Sequence, residues 1–221
     1  MKPATEVRRC RTAILISGSG SNLQAFIKQV ADGRLPLDIA LVVSNRSDAY
    51  GLLRAAAASI PTLVISHRDF ASRDAFDMAL AAELDAAAIE LIILAGFMRI
   101  LSAAFVQHFA GRIMNVHPAL LPLYPGLDTH ARALDAGDRQ HGSTVHFVTE
   151  ELDGGPRIIA GRIAVRREDT VASLKSRVQA VEHQIYPQAA AWYAEQRLSY
   201  RNGEALLDGQ LLNEPVVRDF D

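Results

Sequence analysis

Short apolar runs alternate with longer amphipathic or alanine-rich stretches through the first half of the chain. Strands buried on both faces read as nearly continuous apolar runs, so these runs predict a parallel sheet and the stretches between them predict helices. The predicted strands are Thr12–Ser17, Asp38–Ser44, Thr62–Ile65, Leu91–Ala95 and Ile113–His117. The predicted helices are Asn22–Asp32, Tyr50–Ser59, Ser72–Ala88 and Ser102–Phe109.

The pattern changes in the second half of the chain. Strands are predicted at Ser143–Val148 and Ile158–Val165, and a helix from Thr170 to about Arg197, which Pro187 is expected to kink or break. A small hairpin is predicted around Asp208-Gly209. The order of elements predicts an α/β fold: a mostly parallel, Rossmann-like sheet with helices on both faces and antiparallel strands toward the C-terminal half.

Composition narrows the class of protein. The chain has 221 residues, 49% of them hydrophobic and 22% charged, which suits one soluble domain. A net charge of −2 gives no strong field for nucleic acid or an anionic membrane. The single cysteine, Cys10, cannot form an intrachain disulfide, and no apolar run approaches the ~18 residues that span a bilayer. We therefore expect a cytoplasmic protein that binds neither nucleic acid nor membranes.

Three unusual segments each fall at the carboxyl end of a predicted strand: Ser17–Asn22, Gly96–Leu101 and Asn115–Pro118. Ligands on parallel sheets bind beyond the carboxyl ends of the strands. The coincidence predicts one shared site at that edge of the sheet.

The segment Ser17–Asn22 is rich in glycine and serine, and its backbone and hydroxyl donors suit a phosphate at a helix start. A dinucleotide is disfavoured, because Leu23 stands where a third glycine is needed and no acidic residue ends the second strand. A tight turn with a helix cap explains the glycines but not the number of donors. We favour binding of a single terminal phosphate.

Asn115 and His117 alternate on one strand and so share a face, and Asp153 lies downstream in an Asp-Gly-Gly-Pro turn. Each residue alone is more often structural than catalytic. Together, an amide, an imidazole and a carboxylate can stabilise an oxyanion and move protons at neutral pH. None is a good covalent nucleophile here, which indicates group transfer between two bound substrates.

The segment Gly96–Leu101 is either a packing loop or the wall of a site for a flat heterocycle, with Arg73 and Arg99 suited to an acidic tail. His141 and His146 are too loosely spaced for a zinc motif, so no metal site is predicted.

Five motifs together resemble the phosphoribosylglycinamide formyltransferase family, over nearly the whole chain from Thr12 onward. They are Leu15–Ala25, Leu94–Leu101, Asn115–Thr129, His141–Phe147 and Glu151–Pro156. The resemblance implies direct, metal-free transfer of the formyl group of 10-formyltetrahydrofolate to the amine of 5-phosphoribosylglycinamide, in de novo purine biosynthesis.

The resemblance also implies roles for individual residues. The catalytic set is Asn115, His117 and Asp153. Phosphoribosylglycinamide is expected at Gly20, Ser21, Asn22, Pro118 and Glu182. The folate is expected at Arg73, Met98, Arg99, Ile100, Leu101, Asn115, Thr149, Glu150, Glu151, Leu152 and Asp153. We further expect a monomer or weak homodimer, with residues 1–11 a disordered tail before a single domain, 12–221.

Two positions depart from the family pattern: Asp128 stands where a histidine is common, and Leu123 where a lysine is common. Three other functions stay open. A 10-formyltetrahydrofolate hydrolase usually carries an extra N-terminal domain, and a methionyl-tRNA formyltransferase an extra C-terminal domain. A non-catalytic nucleotide-binding module would leave Asn115, His117 and Asp153 without a role.

Overall fold

A computed structural model describes residues 8–220 of the chain. Its strands are β1 Cys10–Ile16, β2 Leu37–Ser44, β3 Thr62–Val64, β4 Leu91–Leu94, β5 Ile113–His117, β6 Gln140–Phe147, β7 Arg157–Ala164, β8 Leu198–Arg201, β9 Glu204–Leu207, β10 Gln210–Leu211 and β11 Val216–Phe220. Its helices are α1 Ser21–Ala31, α2 Tyr50–Ala57, α3 Arg73–Ala86, α4 Ala103–His108, α5 Thr129–Asp135 and α6 Val171–Ala194.

The strands form a sheet of eight, in the order β11-β7-β6-β5-β4-β1-β2-β3, and a small antiparallel sheet, β10-β9-β8. The run from β3 to β5 is parallel, whereas β6 is antiparallel to both β5 and β7. The predicted fold class, with its antiparallel strands in the second half, is confirmed.

Apolar side chains fill a core on each face of the large sheet. In β1, Ile14 and Ile16 join one buried cluster with α1 and α6, while Ala13 and Leu15 join the other with α3 and α4. Because successive side chains of a strand point to opposite faces, a strand buried on both sides must be apolar at every position.

Helix α6 packs on the sheet and is hydrogen-bonded to strands β4 and β5. The fully buried Tyr186 donates its hydroxyl hydrogen toward the carbonyls of Leu94, at 3.2 Å, and Met114, at 2.8 Å. The helix continues past Pro187 to Ala194, so the alternative that Pro187 breaks it is wrong.

Among the described residues, no helix has both the length and the apolar character needed to cross a bilayer.

Several boundaries differ from the sequence prediction. Cys10 and Arg11 belong to β1, so the predicted disordered tail does not include them; residues 1–7 lie outside the described part of the chain. Helix α5 and strands β8 and β11 were not predicted. The hairpin at Asp208-Gly209 is confirmed, since β9 and β10 pair across it.

Candidate active site

The three segments singled out from the sequence lie at one edge of the large sheet. They lie at the carboxyl ends of β1, β4 and β5, which run parallel with β4 in the middle. Their carboxyl ends therefore meet, as expected for a site on a parallel sheet.

The structure brings together the imidazole and the carboxylate that the sequence separates by 36 positions. His117 ends β5, and Asp153 lies in the loop between β6 and β7. The His117 Nδ1 atom is 3.3 Å from Asp153 Oδ2, and the two side chains are only 6% and 7% exposed. Asp153 has a φ of +53°. Gly155 allows the tight turn, because a Cβ there would lie 1.9 Å from the carbonyl oxygen of Phe147.

Each ring nitrogen of His117 faces an acceptor. The Nε2 atom is 2.7 Å from the carbonyl oxygen of Tyr124, which can only accept, so Nε2 carries a hydrogen. Nδ1 faces the Asp153 carboxylate, whose Oδ2 also accepts the N–H of Gly126 at 2.9 Å. The backbone thus holds Nε2 at 2.7 Å, and Nδ1 makes the longer contact, 3.3 Å, with Asp153.

His146 orients the amide of Asn115, which it opposes in the antiparallel pairing of β5 and β6. The buried His146 donates from Nδ1 to the carbonyl of Phe147 at 2.9 Å. Burial lowers the pKa of His146, so the ring is neutral and its Nε2 accepts from Asn115 Nδ2 at 3.3 Å. The second N–H of the half-buried Asn115 amide remains for a ligand. From the sequence, His146 was weighed as a zinc ligand and included in the motif His141–Phe147, but no contact with Asn115 was predicted.

Two arginines hold the segment after β5 that carries Tyr124. Arg157 donates to the carbonyl of Leu121 at 2.9 Å, and Arg132 donates to that of Pro125 at 2.7 Å. The Arg132 guanidinium also lies 5.1 Å from the centroid of the Tyr124 ring. These contacts fix the carbonyl that orients His117. No motif in the sequence predicts these contacts between arginine side chains and backbone carbonyls.

Two carbonyl groups of the loop between β1 and α1 accept hydrogen bonds from α2. The carbonyl of Gly18 accepts from Gly51 N–H at 3.0 Å, and that of Ser19 accepts from Arg54 Nε at 2.9 Å. The first N–H groups of a helix have no acceptor within the helix, so those of α1 can bind an anion. Gly20, at the N-cap of α1, has a φ of +68°.

The side chains of Ser21 and Asn22 are bound to α6. Ser21 Oγ accepts from Gln179 Nε2 at 2.8 Å, and Asn22 Nδ2 donates to Glu182 Oε2 at 2.8 Å. Glu182 Oε1 lies 3.3 Å from the hydroxyl of Ser143, which bonds the carbonyl of His117 at 2.7 Å. Burial raises the pKa of Glu182, although the hydrogen bonds from Asn22 and Ser143 oppose the shift. The Glu182 carboxyl is thus part of the polar cluster behind β5.

The segment after β4 presents apolar side chains to solvent. Met98 is 71% exposed and Ile100 62% exposed, whereas Leu101 is buried. The Arg99 guanidinium lies 5.5 Å from the centroid of the Phe76 ring. Arg73 is exposed at the start of α3.

The remaining predicted site residues lie on the loops beside the His117–Asp153 pair. Pro118 is half-buried, and its carbonyl accepts from Thr129 Oγ1 at 2.6 Å. Glu150 accepts from Gln107 at 2.6 Å, which ties its loop to α4. Thr149 is half-buried, and Glu151 and Leu152 are exposed. Within residues 8–220, no group of three or more His, Cys, Asp or Glu side chains is placed to hold a metal ion.

Comparison with known proteins identifies the class. Residues 10–190 match the family model described as formyl transferase. The fold and the site therefore define a formyl-group transferase.

Close relatives narrow the class to one family. The phosphoribosylglycinamide formyltransferase of Escherichia coli is 49% identical over 199 residues, 90% of this chain and 94% of that protein. The structure of the phosphoribosylglycinamide formyltransferase of Coxiella burnetii superposes with a TM-score of 0.91 at 48% identity, covering 95% of this chain and 99% of that one. The human trifunctional purine biosynthetic protein adenosine-3 is 45% identical over 184 residues, 83% of this chain and 18% of that protein. The chain belongs to the phosphoribosylglycinamide formyltransferase family, which confirms the resemblance read from its motifs.

Proposed function

We propose that this chain transfers the formyl group of 10-formyltetrahydrofolate directly to the amine of 5-phosphoribosylglycinamide, at the edge where β1, β4 and β5 end. The observation that carries the proposal is the pairing of His117 with Asp153, whose side chains are buried and 3.3 Å apart. His117 lies on the strand that also carries Asn115. A carboxamide, an imidazolium and a carboxylate are the groups that a tetrahedral oxyanion and its proton transfers need.

The two substrates bind to different loops beside this group of side chains. The phosphate of phosphoribosylglycinamide binds the N–H groups of Gly20, Ser21 and Asn22 at the start of α1, with Pro118 and Glu182 near its ribose and glycinamide portions. The folate lies on the wall formed by Met98, Arg99, Ile100 and Leu101 and on the loop Thr149–Asp153, with Arg73 toward its acidic tail. Holding both substrates together supplies much of the rate acceleration.

The chemical step needs no covalent bond to the protein. The lone pair of the amine attacks the formyl carbon, and the carbonyl electron pair moves to its oxygen. The Asn115 N–H stabilises the oxyanion, and so does the His117 Nδ1–H, because its contact with Asp153 is long, 3.3 Å, and the hydrogen can be shared between the two acceptors. Asp153 keeps His117 charged and oriented, and takes part in moving a proton from the amine to N10 of the folate as the bond between the formyl carbon and N10 breaks.

Glu182 is expected to contribute to binding of the glycinamide amine. Its buried carboxyl is also expected to lower the stability of the folded protein. We predict that Glu182→Gln raises the KM for phosphoribosylglycinamide about tenfold, because a hydrogen bond to an ionised group is roughly twice as strong as a neutral one. The amide oxygen can accept the hydrogen bond from Asn22, and the amide nitrogen can donate to Ser143 Oγ, whose own hydrogen is bound to the carbonyl of His117.

The same variant should be more stable than the parent, and the difference should grow with pH. The folded pKa of Glu182 is raised, so its favourable contribution is complete below the unfolded value of 4.5 and is lost as the pH rises through the folded value. Glutamine does not titrate. Urea unfolding at about pH 5 and pH 8 measures the difference; a difference that shrinks toward pH 8 would contradict this reasoning.

One assay separates the proposed transfer from its alternatives. The protein is supplied with 10-formyltetrahydrofolate, with and without phosphoribosylglycinamide, and the formylated amine and free formate are both measured. The proposal predicts formylated amine in the complete mixture and negligible formate without the amine. Equal loss of formyl in both mixtures would indicate a hydrolase, and no loss in either would indicate binding alone.

A further inference from the structure

Ser17 joins the two substrate-binding segments, and the mechanism above gives it no role. It directly follows β1, opens the glycine-rich loop, and is only 6% exposed. Its hydroxyl is 2.8 Å from the backbone nitrogen of Met98 and 2.6 Å from Oδ1 of Asn45. It thus connects the ends of β1, β2 and β4.

The direction of both hydrogen bonds is fixed. The N–H of Met98 can only donate, so the Ser17 oxygen accepts it, and the single hydroxyl hydrogen goes to Asn45. Asn45 is itself buried, and its Nδ2 lies 3.5 Å from Nδ1 of His67. The Met98 N–H, the Ser17 hydroxyl and the Asn45 side chain are thus linked by consecutive hydrogen bonds. Removal of the hydroxyl leaves the Met98 N–H and the Asn45 oxygen unpaired.

The Met98 N–H bond holds an exposed segment in place. Gly96 has a φ of +76°, which turns the chain immediately after β4. Phe97 is buried, but Met98 and Ile100 project into solvent, so their side chains give the segment little anchorage. The hydrogen bond to Ser17 fixes the backbone at the point where the proposed folate wall begins.

We propose that Ser17 is a positioning residue for the formyl-donor subsite, acting through the backbone of Met98 and never touching substrate. The inference rests on the proposed function, since it takes Met98–Leu101 as the folate wall. It also predicts selectivity for one substrate. Although Ser17 begins the loop that binds phosphoribosylglycinamide, its hydroxyl faces the other segment.

Ser17→Ala tests the inference through the separate KM values of the two substrates. We expect the KM for 10-formyltetrahydrofolate to rise about fivefold to tenfold, as for the loss of one buried hydrogen bond. The KM for phosphoribosylglycinamide should stay within about twofold. The dissociation constant of tetrahydrofolate, measured by quenching of protein fluorescence, should rise in parallel with the KM for the donor.

A control separates positioning from general destabilisation. Ser173→Ala removes part of the capping box at the start of α6, far along the chain from both segments, and should lower the melting temperature without changing either KM. An unchanged KM for the donor in a folded Ser17→Ala protein, or an equal rise in both KM values, would overturn the inference.

If Ser17→Ala does not fold, Asn45→Ala takes its place, because it removes the acceptor of the hydroxyl hydrogen and so frees the Ser17 side chain to rotate away from the Met98 N–H. The donor KM should then rise at least about threefold, and no rise again overturns the inference. Failure of the proposed function gives a different result: the unmodified protein would then form no formylated amine.

Discussion

His117→Ala is expected to lower kcat about a thousandfold, because it removes an oxyanion donor and a proton-transfer group at once. The ring is buried, and both of its nitrogens are engaged, by Asp153 and by the carbonyl of Tyr124. Stopped assays with both substrates saturating measure kcat, and a thermal melt checks that the variant is folded. Turnover near that of the parent in a folded His117→Ala protein would refute the role given to the imidazole.

Asp153→Asn isolates the charge of the carboxylate from its shape. The amide oxygen can still accept the Gly126 N–H, but it no longer stabilises the imidazolium, so we expect kcat to fall about a hundredfold or more. Asp135→Asn is the matched control. Asp135 is exposed at the end of α5, outside the proposed site, and its loss should change kcat less than twofold.

Gly20→Ala is expected to disable the phosphate-binding loop. A Cβ at Gly20 would lie 2.7 Å from Cα of Gly51, a backbone atom that cannot rotate away, and the φ of +68° disfavours any other residue. The loop must therefore move. We expect the KM for phosphoribosylglycinamide to rise at least about tenfold, with a smaller change for the folate, since the N–H groups at the start of α1 lose their arrangement.

Gly33→Ala separates backbone strain from the steric clash. Gly33 has nearly the same φ, +69°, but no heavy atom lies within 4 Å of its added Cβ. It follows the C-terminus of α1, at the far end of the helix from the loop. This variant should lose about 1 kcal/mol of stability and keep both KM values. Equal KM values for phosphoribosylglycinamide in the two variants would contradict the role given to Gly20.

The part of the site that could be predicted from the sequence follows from local patterns. Apolar runs predicted the parallel strands, and parallel strands bring their carboxyl ends to one edge, so Ser17, Met98 and His117 were predicted to be neighbours. The alternation along β5 placed Asn115 and His117 on one face. Individual roles for these residues came from the resemblance of five motifs to a family.

What the sequence did not reveal depends on contacts between distant segments. His146 orients Asn115 only because of the antiparallel register of β5 and β6, which no turn between them specifies. The Tyr124 carbonyl reaches His117 because Arg132 and Arg157 hold an irregular segment, and backbone groups carry no signature in a sequence. Strand β11 pairs with β7 across more than 50 intervening positions. A break at Pro187 was considered because proline usually kinks or breaks a helix. That rule takes no account of the tertiary packing of α6, which continues past Pro187.

The central claim is that three side chains act on two substrates held together and that none of them carries the formyl group. A single-turnover rapid-quench experiment with enzyme in excess and a formyl-labelled donor tests it most directly. We predict that label leaves the folate and appears on the amine with one rate constant, with none on protein or as formate. Labelled protein that forms before the product and decays into it would contradict the account.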